Sequence, residues 1–286
     1  MILGAHMSIA GGVHRALERG RSISCEAVQI FTRNQLRWSS PALQDEEIRS
    51  FLKLKDEFKA VLAHASYLIN LASPDEETHR KSAQALEEEL RRCRILGIPA
   101  LILHPGSHRG RGAERGIERF AEGARRVYAE ARLHQVRLTL ETTAGSGSNL
   151  GGSFEQLRDL LGALENAGVP AGICFDTCHV FAAGYELRNR NGYETTWKRF
   201  DRVIGRKHLV ALHLNDSVAE LGSARDRHAH IGKGQIGLSG FRRLVRDPTL
   251  AQVPGILETP KGPDMREDVE NLRLLGTLGR SGGKSA

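Results

Sequence analysis

Residues 171–179, Ala171-Gly172-Ile173-Cys174-Phe175-Asp176-Thr177-Cys178-His179, carry the reading of the fold. The run Ile173-Cys174-Phe175 is continuously apolar, as in a parallel strand covered on both faces, and it ends on a carboxylate. The same form recurs outward in both directions. Strands are expected at 1–5, 27–31, 60–64, 99–104, 136–141, 171–176, 209–214 and 254–258. Amphipathic helical patterns lie between them. Ser73-Pro74-Asp75-Glu76 reads as a capping box with proline at the first helical position. The helix after it would carry Ala83, Leu86, Leu90 and Cys93 on one stripe and stop before Gly97. Ser153-Phe154-Glu155-Gln156 opens another. Strands alternating with helices predict an α/β fold, a single-domain (β/α)8 TIM barrel over 1–279. The alternative is an open doubly wound sheet. The Gly/Ser-rich tail 280–286 is expected to be disordered.

Composition narrows the class. The chain has 286 residues and a formal charge of +7, with 32 Arg against 9 Lys. That excess permits a polyanionic partner without requiring one. No apolar run reaches the roughly 18 residues of a membrane span, and the N-terminus lacks a secretory pattern. Cys25, Cys93, Cys174 and Cys178 are too scattered for a disulfide framework. A reduced, cytoplasmic setting is expected.

The strand ends carry the chemistry. His64, His104, Glu141, Asp176, His213 and Glu258 close six successive strands, at intervals of 40, 37, 35, 37 and 45 residues. Each interval is one βα unit, and barrel strands converge at their C-terminal ends. One such histidine or carboxylate alone is more often a hydrogen-bonded structural group or a helix cap. Six in register predict a metal centre, because three carboxylates buried together without cations would repel. Imidazole with carboxylate suits zinc, with manganese or iron as substitutes. His179, Asp226 and His228 lie just beyond strand ends and raise the donors to nine, enough for two or three ions. Such a pocket stays cationic and favours an anion such as phosphate.

Other features read more weakly. His230 competes with His228 as a donor. His6 is a candidate supporting group, and His108 faces either substrate or solvent. His14, His79, His134 and His208 read as solvated. Gly145-Ser146-Gly147 with Gly151 lacks dinucleotide-loop spacing and reads as a flexible mouth loop.

At these residues the chain resembles the endonuclease IV family of apurinic/apyrimidinic DNA endonucleases. The matching stretches are Gly4-Ala5-His6 with Gly11-Gly12, Phe31-Thr32-Arg33-Asn34-Gln35, and His64 through Leu71. They continue with Leu103-His104-Pro105-Gly106-Ser107-His108, Leu140 through Gly145 and Phe175 through Tyr185. Then come His213-Leu214-Asn215-Asp216, Asp226-Arg227-His228 and Leu257-Glu258-Thr259-Pro260. The resemblance implies three zinc ions. His64, His104 and a bridging Glu141 would hold the first. Glu141, Asp176, His213 and Glu258 would hold the second, and His179, Asp226 and His228 the third. It thus favours His228 over His230. It makes Glu141 and Glu258 the catalytic carboxylates.

The implied reaction is hydrolysis of the phosphodiester 5′ to an abasic site. It leaves a 3′-hydroxyl and a 5′-deoxyribose phosphate, with cleaning of blocked 3′ ends as a related activity. The partner would be double-stranded DNA, and the chain would act as a monomer without a membrane. Arg33, Asn34, Gln35, Leu36, Arg37, Tyr67 and Arg227 would face the DNA. Leu36 stands where an arginine is frequent in the family and is itself a candidate wedge between bases. The alternatives are a metal-dependent sugar isomerase or epimerase on a related barrel, and a non-catalytic binder of damaged DNA.

Overall fold

The computed structural model describes residues 1–131 and 133–280; of the expected tail, 281–286 lie outside the described residues. Eight parallel strands close a barrel: β1 (Ile2–Met7), β2 (Ala27–Phe31), β3 (Ala60–His64), β4 (Ala100–Leu103), β5 (Arg137–Glu141), β6 (Ala171–Asp176), β7 (Leu209–His213) and β10 (Pro254–Leu257). Around it run α1 (Val13–Ser22), α2 (Asp45–Lys55), α3 (Glu76–Ile95), α4 (Ala113–Ala131), α5 (Phe154–Asn166), α7 (Arg190–Val203), α8 (Gly237–Arg246) and α9 (Arg266–Gly279). A short helix α6 (Thr177–Ala182) and a hairpin of β8 (Asp216–Ser217) with β9 (His228–Ala229) sit at the mouth. The open doubly wound sheet is excluded, because β1 pairs with both β2 and β10.

The period of two along each strand sorts the side chains. Val28, Ile30, Val61, Ala63, Leu101, Leu103, Leu138, Leu140, Ile173 and Phe175 face outward into the large core under the helices. Burying each large apolar side chain there stabilises the fold by about 1.5–3 kcal/mol. The alternate residues Ala27, Leu62, Ala100, Ile102, Cys174, Ala211 and Ile256 form a separate cluster, the packed floor of the lumen. Two residues beyond that layer, in the same phase, stand Gln29, His64, His104, Asp176, His213 and Glu258. Glu141 follows Thr139 in that phase on β5, and both are fully buried. Asp176 pairs with His213, while the tilt of the strands sets Glu141 beside Cys174 and His213 beside Ile256, a two-residue stagger around the ring. One apolar layer therefore supports one polar layer above it.

Several expectations shift at their edges. β1 reaches Met7, so His6 lies within the strand, while β4 and β10 stop one residue short of His104 and Glu258. The N-cap of α3 is Asp75, whose carboxylate accepts the Thr78 N–H at 2.7 Å. Ser73 is fully buried, and its hydroxyl accepts the Asp75 N–H instead. On α3, Leu86, Leu90 and Cys93 are buried and Ala83 is half-buried. Ser153 caps α5 as expected, accepting from Gln156 N–H at 3.2 Å. His79 is buried, bonded through Nδ1 to the Leu71 carbonyl, and so is not solvated.

The mouth loops are tied to one another. Gly106 sits at φ +86°, and a Cβ there would meet Asn70 Oδ1 at 2.3 Å. That close approach lets Asn70 donate to the Ser107 carbonyl and accept the Ser107 N–H, each at 3.0 Å. The loops after β3 and β4 are thereby joined. After β7, the buried Asp216 carboxylate accepts N–H groups from Gly232, Gly234 and Ile236 at 2.9–3.1 Å. That fixes the chain between the hairpin and α8.

Candidate metal centre

All nine expected donors meet at the mouth. Three sets have their ligand atoms within 4.8 Å of one another: His64, His104 and Glu141; Glu141, Asp176, His213 and Glu258; and His179, Asp226 and His228. Glu141 belongs to two of them through different oxygens. Its Oε2 lies 3.0 Å from His64 Nε2 and 3.2 Å from His104 Nε2. Its Oε1 lies 2.9 Å from His213 Nδ1 and 3.2 Å from His179 Nδ1. Asp176 Oδ2 stands 3.8 Å from both His213 Nδ1 and His228 Nε2. Asp226 faces His179 Nε2 at 3.1 Å and His228 Nε2 at 3.2 Å.

Hydrogen-bond chemistry tests whether cations fit here. His64, His179 and His228 each place Nδ1 on a main-chain carbonyl, at 2.7, 2.8 and 3.2 Å respectively. A carbonyl only accepts, so Nδ1 carries the hydrogen in each ring. The inner Nε2 atoms then face carboxylate oxygens, acceptor against acceptor. Each such contact needs a second proton or a shared cation. His228 Nε2 is buried without a hydrogen-bond partner.

The electrostatics point the same way. Burial opposes ionisation of Glu141 and Glu258, yet His213 above all holds both well below the usual carboxylate range. Asp226 is lowered by His179 and His228 against the same burial. Burial disfavours the charged form of His228, but its 3.2 Å approach to Asp226 and the charges of Asp176 and Glu258 lift it to about 9. His179 rises well above its ordinary value for the same kind of reason, with Asp176 foremost. The pocket is short of positive charge, and divalent cations bound by imidazole and carboxylate meet that demand.

Two ambiguities resolve geometrically. His228 enters the cluster, whereas His230 Nδ1 bonds Asn271 Nδ2 at 3.2 Å. Cys178 also lies near Asp176 and His228, but burial pushes its thiol up to about 12 and it donates to the Arg227 carbonyl. All four cysteines are free and buried.

The loop after β2 differs from expectation at Arg33. That side chain is buried rather than on the surface: Nε donates to Glu89 Oε1 at 2.9 Å and Nη1 to the Arg37 carbonyl at 2.6 Å. The same Glu89 oxygen accepts the Ser66 N–H at 3.0 Å. Arg92 of α3 donates to the carbonyls of Thr32 and Pro41. Helix α3 thus straps the loops after β2 and β3, a role that spacing alone did not suggest.

Asn34, Arg37 and Arg227 are exposed, Gln35 is half-buried, and Leu36 is 72% exposed. Tyr67 is 58% exposed, with its ring 5.3 Å from that of His64 and 5.8 Å from that of His104. Beside these rings lies a cavity of about 460 Å³, lined by Trp38, Tyr67, Asn70, Ser107 and Arg109 among others. Ser146 bonds the Ala224 carbonyl, so the glycine-rich segment after β5 is tied to the loop after β7.

Residues 17–275 match the family model described as "Xylose isomerase-like TIM barrel". The chain is 47% identical over 277 residues to "Probable endonuclease 4" of Chloroflexus aurantiacus, covering 96% of this chain and 97% of that one. The crystal structure of endonuclease IV from Thermus thermophilus superposes with a TM-score of 0.86 at 36% identity, covering 97% of this chain and 98% of that one. A D-tagatose 3-epimerase-like protein shares the fold alone, at 16% identity and a TM-score of 0.70 over 98% of each chain. No helix among the described residues is long and apolar enough to cross a membrane.

Proposed function

The chain belongs to the endonuclease IV family within the xylose isomerase-like TIM barrels, and on that premise we propose that it is a zinc-dependent apurinic/apyrimidinic endonuclease. It is a DNA-cleaving hydrolase. The bond cut is the phosphodiester 5′ to an abasic site, giving a 3′-hydroxyl and a 5′-deoxyribose phosphate. Blocked 3′ ends are processed at the same site. The observation that carries this reading is the convergence of nine donors in three sets, two of them joined through the two oxygens of Glu141.

His64, His104 and Glu141 would hold one zinc, Glu141, Asp176, His213 and Glu258 a second, and His179, Asp226 and His228 a third. Divalent ions bound there supply Lewis-acid stabilisation of phosphate oxygens and acidify water. Manganese or iron would serve as substitutes. The protein's own part is positional. Glu141 and Glu258 rise from rigid strand ends, so their oxygens stay aligned without reorganisation during reaction. Tyr67, Leu36 and Arg37 rim the mouth, with Asn34, Gln35 and Arg227 beside them. Exposed apolar groups there would fill the gap that a missing base leaves, and the abasic nucleotide, cheap to unstack, would turn into the mouth. Arg33 contributes by holding the loop rather than by touching phosphate. One chain supplies every donor, so a monomer suffices.

The test pairs metal analysis of purified protein with nicking of a duplex carrying one abasic analogue. Zinc near three equivalents and cleavage 5′ to the analogue support the reading. Turnover of ketoses without nicking would favour the epimerase alternative. Tight binding of abasic duplex without nicking, at full metal occupancy, would favour a non-catalytic binder.

A further inference from the structure

The tautomers of His64, His179 and His228 are set by main-chain carbonyls, which no substitution removes. His213 is built differently. Its Nδ1 faces Glu141 Oε1 at 2.9 Å and Glu258 Oε2 at 3.0 Å. Its Nε2 lies 2.8 Å from Oε1 of Gln29, a fully buried side chain on β2. Gln29 Nε2 lies 2.6 Å from Glu258 Oε1 and 3.0 Å from His6 Nδ1.

The amide can sit only one way round. An ionised carboxylate accepts and never donates, so the Gln29 atom beside Glu258 must be the NH2 group. Reversing the amide would bring two acceptor oxygens within hydrogen-bond distance of each other. The amide oxygen therefore faces His213 and requires a hydrogen on Nε2. That leaves the His213 Nδ1 lone pair free toward the carboxylates. One neutral side chain thus fixes the ring's tautomer and anchors Glu258 together.

We infer that Gln29 is a positioning residue for the centre: it holds His213 as the Nε2–H tautomer and pins Glu258, so that both present ligand atoms to the same ion. The inference rests on the reading that the set of Glu141, Asp176, His213 and Glu258 holds a metal. Groups that orient metal ligands in this way typically carry 10–100-fold in affinity.

Two readouts test it without relying on activity. Long-range 1H–15N spectra of the zinc-loaded wild type should show His213 with its hydrogen on Nε2, and His64, His179 and His228 with theirs on Nδ1. Competition with a chelator should show one ion bound about 10–100-fold more weakly in Gln29→Leu, the others unchanged. Gln29→Glu keeps an oxygen for His213 but loses the donor to Glu258, so it should retain the tautomer while still losing affinity. His213 found with its hydrogen on Nδ1 in the wild type overturns the inference, even if Gln29→Leu fails to fold. Unchanged zinc affinity in a folded Gln29→Leu overturns it as well. A wild type that binds no divalent ion instead overturns the metal reading, and this inference falls with it.

Discussion

The two sides of the candidate metal centre are built from different material. The inner set of Glu141, Asp176, His213 and Glu258 rises from strand ends, and the side chains of the first three are no more than 1% exposed. The outer set draws His179 from α6, His228 from the start of β9 and Asp226 from the loop between β8 and β9, with the Asp226 side chain 50% exposed. Strand ends are fixed by the sheet register, whereas residues 225–227 of the hairpin loop are exposed. The inner set should behave as part of the core and the outer set as a docking point for an ion that comes and goes.

Substitution of the shared carboxylate is the harshest trial of that contrast. Glu141→Gln should reduce nicking by about 10³-fold or more, because it weakens two sets at once. Glu258→Gln should fall in the same range while leaving substantial DNA binding. Asp226→Asn should empty only the outer set, leaving two ions by metal analysis. Equal ion loss in Glu141→Gln and Asp226→Asn would break the distinction.

Chelation offers a kinetic version. Timed exposure to a chelator should remove one ion well before the rest, with activity restored by zinc. A single-phase loss of all ions would contradict the difference between the two sides.

A smaller effect follows from proton competition. In the metal-free protein His228 is lifted to about 9 from an ordinary value near 6.5. Its pairing with Asp226 therefore contributes stability in full below about 6.5, and that contribution fades as pH rises through about 9. Loading the outer set at pH 7 must expel this proton and that of His179, which is also raised well above its ordinary value, so affinity should increase with pH through about 9. Titration calorimetry in buffers of different ionisation enthalpy should register proton release. Its absence would show that both histidines are already neutral.

The mouth loops give the finest test. Glu89→Ala strands the buried Arg33 charge and should destabilise the fold by about 3–5 kcal/mol in denaturant melts. Leu36→Ala, at a largely exposed tip, should leave stability and zinc content alone and weaken binding of abasic duplex several-fold. Unchanged affinity and turnover would remove Leu36 from the DNA interface.

The same contrast explains what could be read from sequence. The inner donors were legible because strand phase carries them: each stands two residues beyond a lumen residue, as Asp176 does after Cys174 and Glu258 after Ile256. The outer donors sit on a six-residue helix, a two-residue strand and a loop, too short to show a period, and the family resemblance rather than any spacing grouped them. Gln29 obeys the same phase as His64 and went unnoticed because an amide is not a ligand type. Arg33 was misjudged for the converse reason. A guanidinium after a strand suggests phosphate, and only the packing of α3 reveals Glu89 beside it. Ser73 shows the limit of local motifs, since a capping pattern does not say which of two nearby acceptors, Ser73 or Asp75, the helix will use.

The pairing of β1 with β10 has a consequence in time. These strands lie some 250 residues apart, and their ladder is what turns an open sheet into a ring. During synthesis the ring cannot form until β10 has emerged, and such long-range closure is slow. Glu258 arrives on the next residue. Gln29 and His213 wait on opposite sides of that last seam, and both contact the carboxylate that completes it. A growing chain therefore lacks a full inner set until the ring shuts, so an ion held there would mark a closed ring.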